Sequence, residues 1–233
     1  MIKKGFTMAE LLITLSIIGI LAALTIPALS SSTEKQQVGP ALIKAISALE
    51  NGNAVMIAQN DMYGIRENCG LPVGDADIAG SEGKNYETNC FERHIMPKLG
   101  AVKLDKSVSY YSSNYNQQTT YNPSTSYIYQ SKNGAAYIFP TNNYNNHYIE
   151  VLIDTNGVEK KPNQMAKDLF KVIIDVDREG SVIPVGSKRY AAATGGDSWA
   201  DNKCGANNTI NNVQWDTCAG SITDNNGKII YKW

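Results

Sequence analysis

Lys3-Lys4-Gly5-Phe6-Thr7-Met8-Ala9-Glu10-Leu11-Leu12 opens a stretch with no Asp, Glu, Lys, Arg or His from Leu11 to Thr33, and Leu15-Ser16-Ile17-Ile18-Gly19-Ile20-Leu21-Ala22-Ala23-Leu24 runs through its middle. A helix rises about 1.5 Å per residue, so residues 6–29 are long enough to cross a hydrocarbon core of roughly 30 Å. Lys3 and Lys4 hold the N-terminal end on the cytoplasmic side and send the chain after Ser30 outward. Three readings of such a segment compete: a secretory signal peptide, an uncleaved anchor, and a span whose leader is cut ahead of the apolar run. Ala28-Leu29-Ser30 has the small-x-small form that a signal peptidase accepts. Glu10 argues the other way, because a carboxylate inside a membrane helix costs on the order of 2.5 to 3.5 kcal/mol at mid-bilayer and a disposable segment has no use for it.

Residues 3–12 resemble the leader and cleavage motif of type IV pilins and of the pseudopilins of type II secretion. The resemblance implies a peptidase cut after Gly5, N-methylation of the new amino terminus on Phe6, and an assembly role for Glu10 at the fifth position of the mature chain. Met8-Ala9 stands where the family more often has Leu-Ile or similar, a conservative departure. Pro27, near the outer end of the span, removes a backbone donor and is expected to kink or loosen the helix, as a proline hereabouts does in that family. The resemblance further implies the prepilin peptidase, other pilin copies, an inner-membrane assembly platform and its ATPase as partners. The charges themselves point the same way. A free amine on Phe6 and a carboxylate on Glu10 are each unmatched within their own helix, and pairing them between neighbouring subunits offsets both desolvation costs. Such a head-to-tail contact repeats without closing, which makes a filament.

After the span, Val38, Leu42, Ile46, Leu49 and Met56 fall mostly three or four apart, so residues 30–63 read as an amphipathic continuation of the helix. Gly39-Pro40 and Asn51-Gly52 are expected to kink it and blur its end. The remainder, 64–233, alternates β-rich runs with turn signals: Ser126 to Gln130, Ala135 to Phe139, Tyr148 to Ile153, Phe170 to Val176, Ser181 to Val185 and Lys228 to Trp233. Asn133-Gly134, Asn156-Gly157 and Asn226-Gly227 are hairpin signals, and a short helix is expected around Asn89 to Leu99. The expected fold is α+β, one long N-terminal helix packed on an antiparallel sheet, which is also the pilin architecture. Residues 1–5 form the leader, 6–29 the transmembrane helix, and 64–233 a globular domain on the exported side.

Four cysteines, Cys69, Cys90, Cys204 and Cys218, all follow the span, where an oxidising compartment allows pairing. Of three connectivities, Cys69 with Cys90 and Cys204 with Cys218 close the shortest loops; the second pair resembles the disulfide-bounded region of many pilins. Zinc is the poorer reading, since no Cys-x-x-Cys occurs and only His94 and His147 are available. Asp154-Thr155-Asn156-Gly157 with Asp168, and Asp175-Val176-Asp177, are candidate calcium ligands, although neither fragment fits an EF-hand loop and turn chemistry accounts for both. Some pseudopilins bind calcium in their globular part, which keeps calcium as a candidate cofactor.

Other chemistry finds little support. Gly196-Asp197-Ser198 lacks the glycines of an oxyanion loop, no Gly-x-Ser-x-Gly exists, and no His follows to act as base. No phosphate-binding loop occurs either, so nucleotide hydrolysis belongs to a partner and the chain itself is not expected to be an enzyme. With 21 basic against 22 acidic residues the net charge is −1, so no global field recruits nucleic acid. Tyr110 to Tyr148 hold nine of the thirteen tyrosines, which permits a second reading: an exported module, tethered or released, binding a glycan or surface protein through a Tyr-rich sheet. The favoured reading is a structural subunit of a type IV pilus or secretion pseudopilus. It is inserted in the inner membrane in contact with lipid, N-terminus cytoplasmic and C-terminal domain periplasmic, then drawn into the filament.

Overall fold

The computed structural model describes residues 7–60, 64–71, 86–111, 118–141, 148–165, 167–176, 180–185 and 187, without the side chains of 26–36, 60 and 64. Two compact units divide at Gln37 and Val38. Helix α1, Met8–Asn60, contributes to both and stays helical through Pro27, Gly39-Pro40 and Asn51-Gly52, so neither Gly-Pro nor Asn-Gly ends it.

In the first unit the helix presents its apolar side chains outward. Met8 is 83% and Leu24 71% exposed, and none of the stretch Met8–Thr25, long and apolar enough to cross a membrane, is buried. Burying these side chains in lipid or against other helices is the favourable outcome that the fold of one chain leaves unrealised.

The second unit holds the rest of α1, helix α2 (Gly64–Cys69), a π-helix (Tyr86–Ile95), helix α3 (Met96–Leu99) and eight strands: β1 Val102–Leu104, β2 Val108–Tyr111, β3 Gln118–Tyr121, β4 Ser126–Gln130, β5 Ala136–Pro140, β6 Tyr148–Asp154, β7 Leu169–Asp175 and β8 Val182–Pro184. The main sheet has the order β1-β4-β5-β6-β7-β8, and β2 with β3 makes a separate two-stranded sheet. Every pairing between strands is antiparallel. An N-terminal apolar helix followed by an antiparallel sheet is an α+β arrangement that fits a pilin-like fold.

Leu42, Ala45, Ile46, Leu49, Asn53 and Met56 recur at the three- and four-residue steps of one helical face and are buried. They share a core with Tyr129, Tyr137 and Phe139, with Ile149, Val151 and Ile153, and with Phe170, Val172 and Ile174. The π-helix closes this layer. Its buried residues Tyr86, Cys90, Phe91 and Ile95 recur four or five apart, the spacing that one face of an i→i+5 helix presents. The Phe91 ring lies 4.9 Å from Tyr129 and 4.7 Å from Phe139. The opposite face of the sheet buries Ile128, Ala136, Ile138, Leu152 and Leu169 under Val108 and Tyr110 of β2 and under Val158 and Met165. A sheet covered on both faces reads as continuous apolar runs, which is why β4 to β7 are so hydrophobic.

Several expectations shift. Strands β1, β2 and β3 are additional to those read from the sequence, being short and partly polar. Asn133-Gly134 does turn the β4–β5 hairpin, with Gly134 at φ 99°. Asn156-Gly157 instead opens a long connection, because β6 ends at Asp154 and β7 begins at Leu169. The strand expected at Lys228 to Trp233 and the turn at Asn226-Gly227 lie outside the described residues.

Candidate assembly segment and acidic loop

Thr7 immediately precedes α1 and forms a capping box with Glu10. The Thr7 N–H and hydroxyl both donate to Glu10 Oε2 at 2.8 Å, and the Glu10 N–H donates back to Thr7 Oγ1 at 3.3 Å. Glu10 is therefore matched within its own helix, contrary to the sequence reading, but only by neutral donors. Its charge remains uncompensated by any cation among these partners, and its side chain is exposed at the head of an apolar helix. The Thr7-x-x-Glu10 spacing was visible in the sequence as a helix start. Gly5 and Phe6 lie outside the described residues, as does the side chain of Pro27.

Cys69 and Cys90 form a disulfide with Cα atoms 5.4 Å apart, linking α2 to the π-helix. Both cysteines are fully buried, and the Asn89 amide donates to the Cys69 carbonyl at 2.8 Å. Cys204 and Cys218 lie outside the described residues.

The seven described tyrosines of the stretch divide between core and partly covered positions, with Tyr121, Tyr127 and Tyr148 half-buried. Tyr110, Tyr129 and Tyr137 are fully buried, and only Tyr111 among the described tyrosines is a clearly exposed large side chain, at 38%. Burial pushes the phenols of Tyr110, Tyr121 and Tyr137 up from their ordinary pKa. Tyr110, Tyr129 and Tyr137 are core rings.

The candidate calcium residues fall into two places. Asp154 pairs with Leu169 at one end of the β6–β7 ladder, whereas Asp175 pairs with Tyr148 at the other. The intervening six steps span about 20 Å at roughly 3.4 Å each, so Asp175 stands apart from Asp154. Asp177 lies outside the described residues. Asp154 and Asp168, by contrast, are brought together and are both buried. Asp154 Oδ1 accepts the N–H groups of Asn156 at 3.1 Å and Gly157 at 2.8 Å, while Oδ2 accepts the Tyr110 hydroxyl at 2.6 Å. Asp168 accepts the N–H groups of Asn163 and Gln164, each at 2.7 Å. Burial, then the neighbouring Asp168 charge, pushes the Asp154 carboxyl up to about 7. Burial pushes Asp168 up to about 6 against the opposing pull of its backbone donors.

In the same connection the side-chain oxygens of Asn156 and Asn163 are buried without a hydrogen-bond partner. Their amide nitrogens are used, donating to the carbonyls of Lys161 at 3.3 Å and Val158 at 3.2 Å. Every carboxylate oxygen of Asp154 and Asp168 thus has a protein donor, and only the two amide oxygens are left over; carboxylate and amide oxygens are the ligand types that calcium takes. Among the described residues no group of three or more His, Cys, Asp and Glu side chains gathers, so any ligand set here mixes carboxylate and amide oxygens. Tyr110 was missed in the sequence; it is 44 residues from Asp154 and nothing local announces the contact.

Residues 1–26 match a family model described as the Prokaryotic N-terminal methylation motif. No curated protein and no solved structure matches the chain. The motif supports a type IV pilin-like family and a pilin- or pseudopilin-type precursor. It implies processing by prepilin peptidase, and together with the apolar helix it fits membrane anchoring.

Proposed function

We propose that the chain is a structural subunit of a type IV pilus or type II secretion pseudopilus. It is cut between Gly5 and Phe6, methylated on Phe6, and assembled through α1 with copies of itself or other pilins by an inner-membrane platform and its ATPase. Before assembly the N-terminus faces the cytoplasm and the β-rich domain the periplasm. The observation that carries this reading is the methylation motif running straight into Met8–Thr25, a helical stretch that is apolar apart from the acid at Glu10 and of which none is buried. In the subunit Glu10 Oε2 is held by Thr7; in the filament the carboxylate meets the amine of a neighbouring Phe6, and the charge that neutral donors leave standing is neutralised in low dielectric. Its work is assembly, not turnover. The competing tethered or released binding module loses part of its surface, because Tyr110, Tyr129 and Tyr137 are fully buried. The test is the filament yield of Glu10→Ala at normal expression and processing: the reading expects loss of filaments, and wild-type yield contradicts it.

The orphaned oxygens of Asn156 and Asn163, in the connection that also buries Asp154 and Asp168, favour a second element, calcium as a structural ligand of the globular domain. When bound, the ion supplies the positive charge that two neighbouring buried carboxylates lack. Isothermal titration of the full chain in detergent, wild type against Asp154→Asn, tests it: heat of binding lost in the variant supports the site, and no heat in the wild type removes it.

A further inference from the structure

The π-helix Tyr86–Ile95 runs for ten residues, although i→i+5 winding occurs mostly as single turns inside α-helices. No Gly or Pro lies within it to disturb α winding, so its neighbours must impose the register. Residues five apart stand about 140° from one another around an α-helix of 3.6 residues per turn, but share a face in i→i+5 winding. Here Tyr86 and Phe91 both lie against the Phe139 ring, with centroids 6.0 and 4.7 Å away. Glu87 and Glu92 both reach Lys103 Nζ, at 2.9 and 2.8 Å. Tyr86 and Ile95 would stand on opposite faces of an α-helix, yet both meet α1: the Tyr86 hydroxyl donates to Asn53 at 2.6 Å and Ile95 packs on Gly52. Most of these anchors are buried in the core. The Lys103 pair is the one that solvent reaches, because the Lys103 side chain is 44% exposed on the edge strand β1. The Glu87 side chain is only 1% exposed, and Lys103 is the one cation among the described residues that it meets.

We propose that Tyr86–Ile95 is a two-register helix with Lys103 as its latch: π while one ammonium holds both carboxylates, α when that ammonium is withdrawn. Lys103 is a positioning residue in this device. Its Nζ draws together two acids that α winding turns apart, and it supplies the countercharge that the buried Glu87 needs. The ammonium is itself fixed, standing 4.5 Å from the Tyr127 and 5.5 Å from the Tyr129 ring centroid, while the Tyr129 hydroxyl donates to the same Glu92 oxygen at 2.9 Å. Without Lys103, π winding leaves two like charges on one face with nothing between them, and α winding relieves the repulsion by separating them. Strand β1 shares the latch. It is three residues long and pairs only with β4 in the sheet, and Lys103 is the side chain that ties it to the helix layer. Rewinding the helix therefore loosens the sheet edge, which couples helix register to the order of β1.

The experiment is NMR of the isotope-labelled full chain in detergent, using through-hydrogen-bond couplings to identify the carbonyl that accepts each N–H of the segment, on wild type, Lys103→Met and Lys103→Arg. Wild type and Lys103→Arg are expected to bond five residues back. Lys103→Met is expected to bond four residues back, with β1 amides exchanging on the order of tenfold faster and β6 and β7 unchanged. Bonds five residues back in Lys103→Met show that the latch is not needed and overturn the proposal. Loss of all helical bonds in that variant also overturns it, since the segment then unfolds instead of rewinding. Should Lys103→Met fail to fold as a whole, Glu92→Gln decides: it leaves Glu87 its cation but removes the second acid, and is expected to populate both registers. A purely π segment in Glu92→Gln overturns the two-register device.

Discussion

At the scale of residues, Glu10 is the only charge on the helix for more than twenty positions, and its local partners are two donors from one threonine. A capping box organises the helix start but supplies no countercharge. Glu10→Gln keeps the acceptor oxygen for Thr7 and removes the charge, so it separates the two roles. If pairing with a neighbouring amine drives assembly, this variant is cleaved normally yet yields filaments as poorly as Glu10→Ala, scored by sheared-filament immunoblot. At the leader, Gly5→Trp is expected to block processing, seen as an unchanged precursor mass. These residues were legible because their meaning is local: a basic pair, a glycine, an acid and an apolar run in one short stretch. Tyr110 was illegible for the opposite reason, since its partner is brought to it only by the fold.

At the scale of elements, the apolar stripe of α1 was plain in the sequence, and Asn51-Gly52, expected to kink the helix and blur its end, lies inside a helix that runs on to Asn60. Gly52 is instead a notch: a Cβ there would stand 2.8 Å from the Ile95 side chain, so the glycine lets the π-helix approach. The adjacent Asn53 is buried and serves as a bolt, its amide donating to the Gly180 carbonyl at 2.7 Å and its oxygen accepting the Tyr86 hydroxyl at 2.6 Å. Gly52→Val should cost about 1–3 kcal/mol by overpacking, read as a lower urea midpoint with the slope unchanged. Strands β4 to β8 were readable because buried sheet demands β-branched and aromatic runs, while β1 to β3 are only three or four residues long and include polar positions such as Lys103, Ser109 and Gln118. Asn156-Gly157 misled because Asx-Gly chemistry also begins longer connections, here with Asp154 capping the Asn156 and Gly157 N–H groups.

For the whole molecule, the disulfide Cys69–Cys90 was anticipated from loop length, whereas which tyrosines are buried was not legible, since composition cannot tell a core ring from a surface one. The raised carboxyls of Asp154, Asp168 and Glu87 set the pH response of the folded domain. The folded state holds protons that the unfolded chain releases from about pH 4 upward, so this contribution to stability is fully present below that point and is lost as pH rises through about 6 to 7. Without calcium the melting temperature should fall between pH 5 and pH 8, and Asp154→Asn should flatten the fall; a melting temperature that rises over this range would contradict the assignment. Calcium at pH 8 should restore what is lost, because an ion that binds ionised carboxylates stabilises the folded state by mass action.

Whether the chain is a prepilin-type subunit is decided by the intact mass and N-terminal fragment spectrum of the protein from native membranes. A prepilin-type subunit is expected to begin with N-methylated Phe6. A chain beginning near Ser31 would contradict it, since the apolar helix would then be a discarded signal peptide and no filament could be built on Glu10.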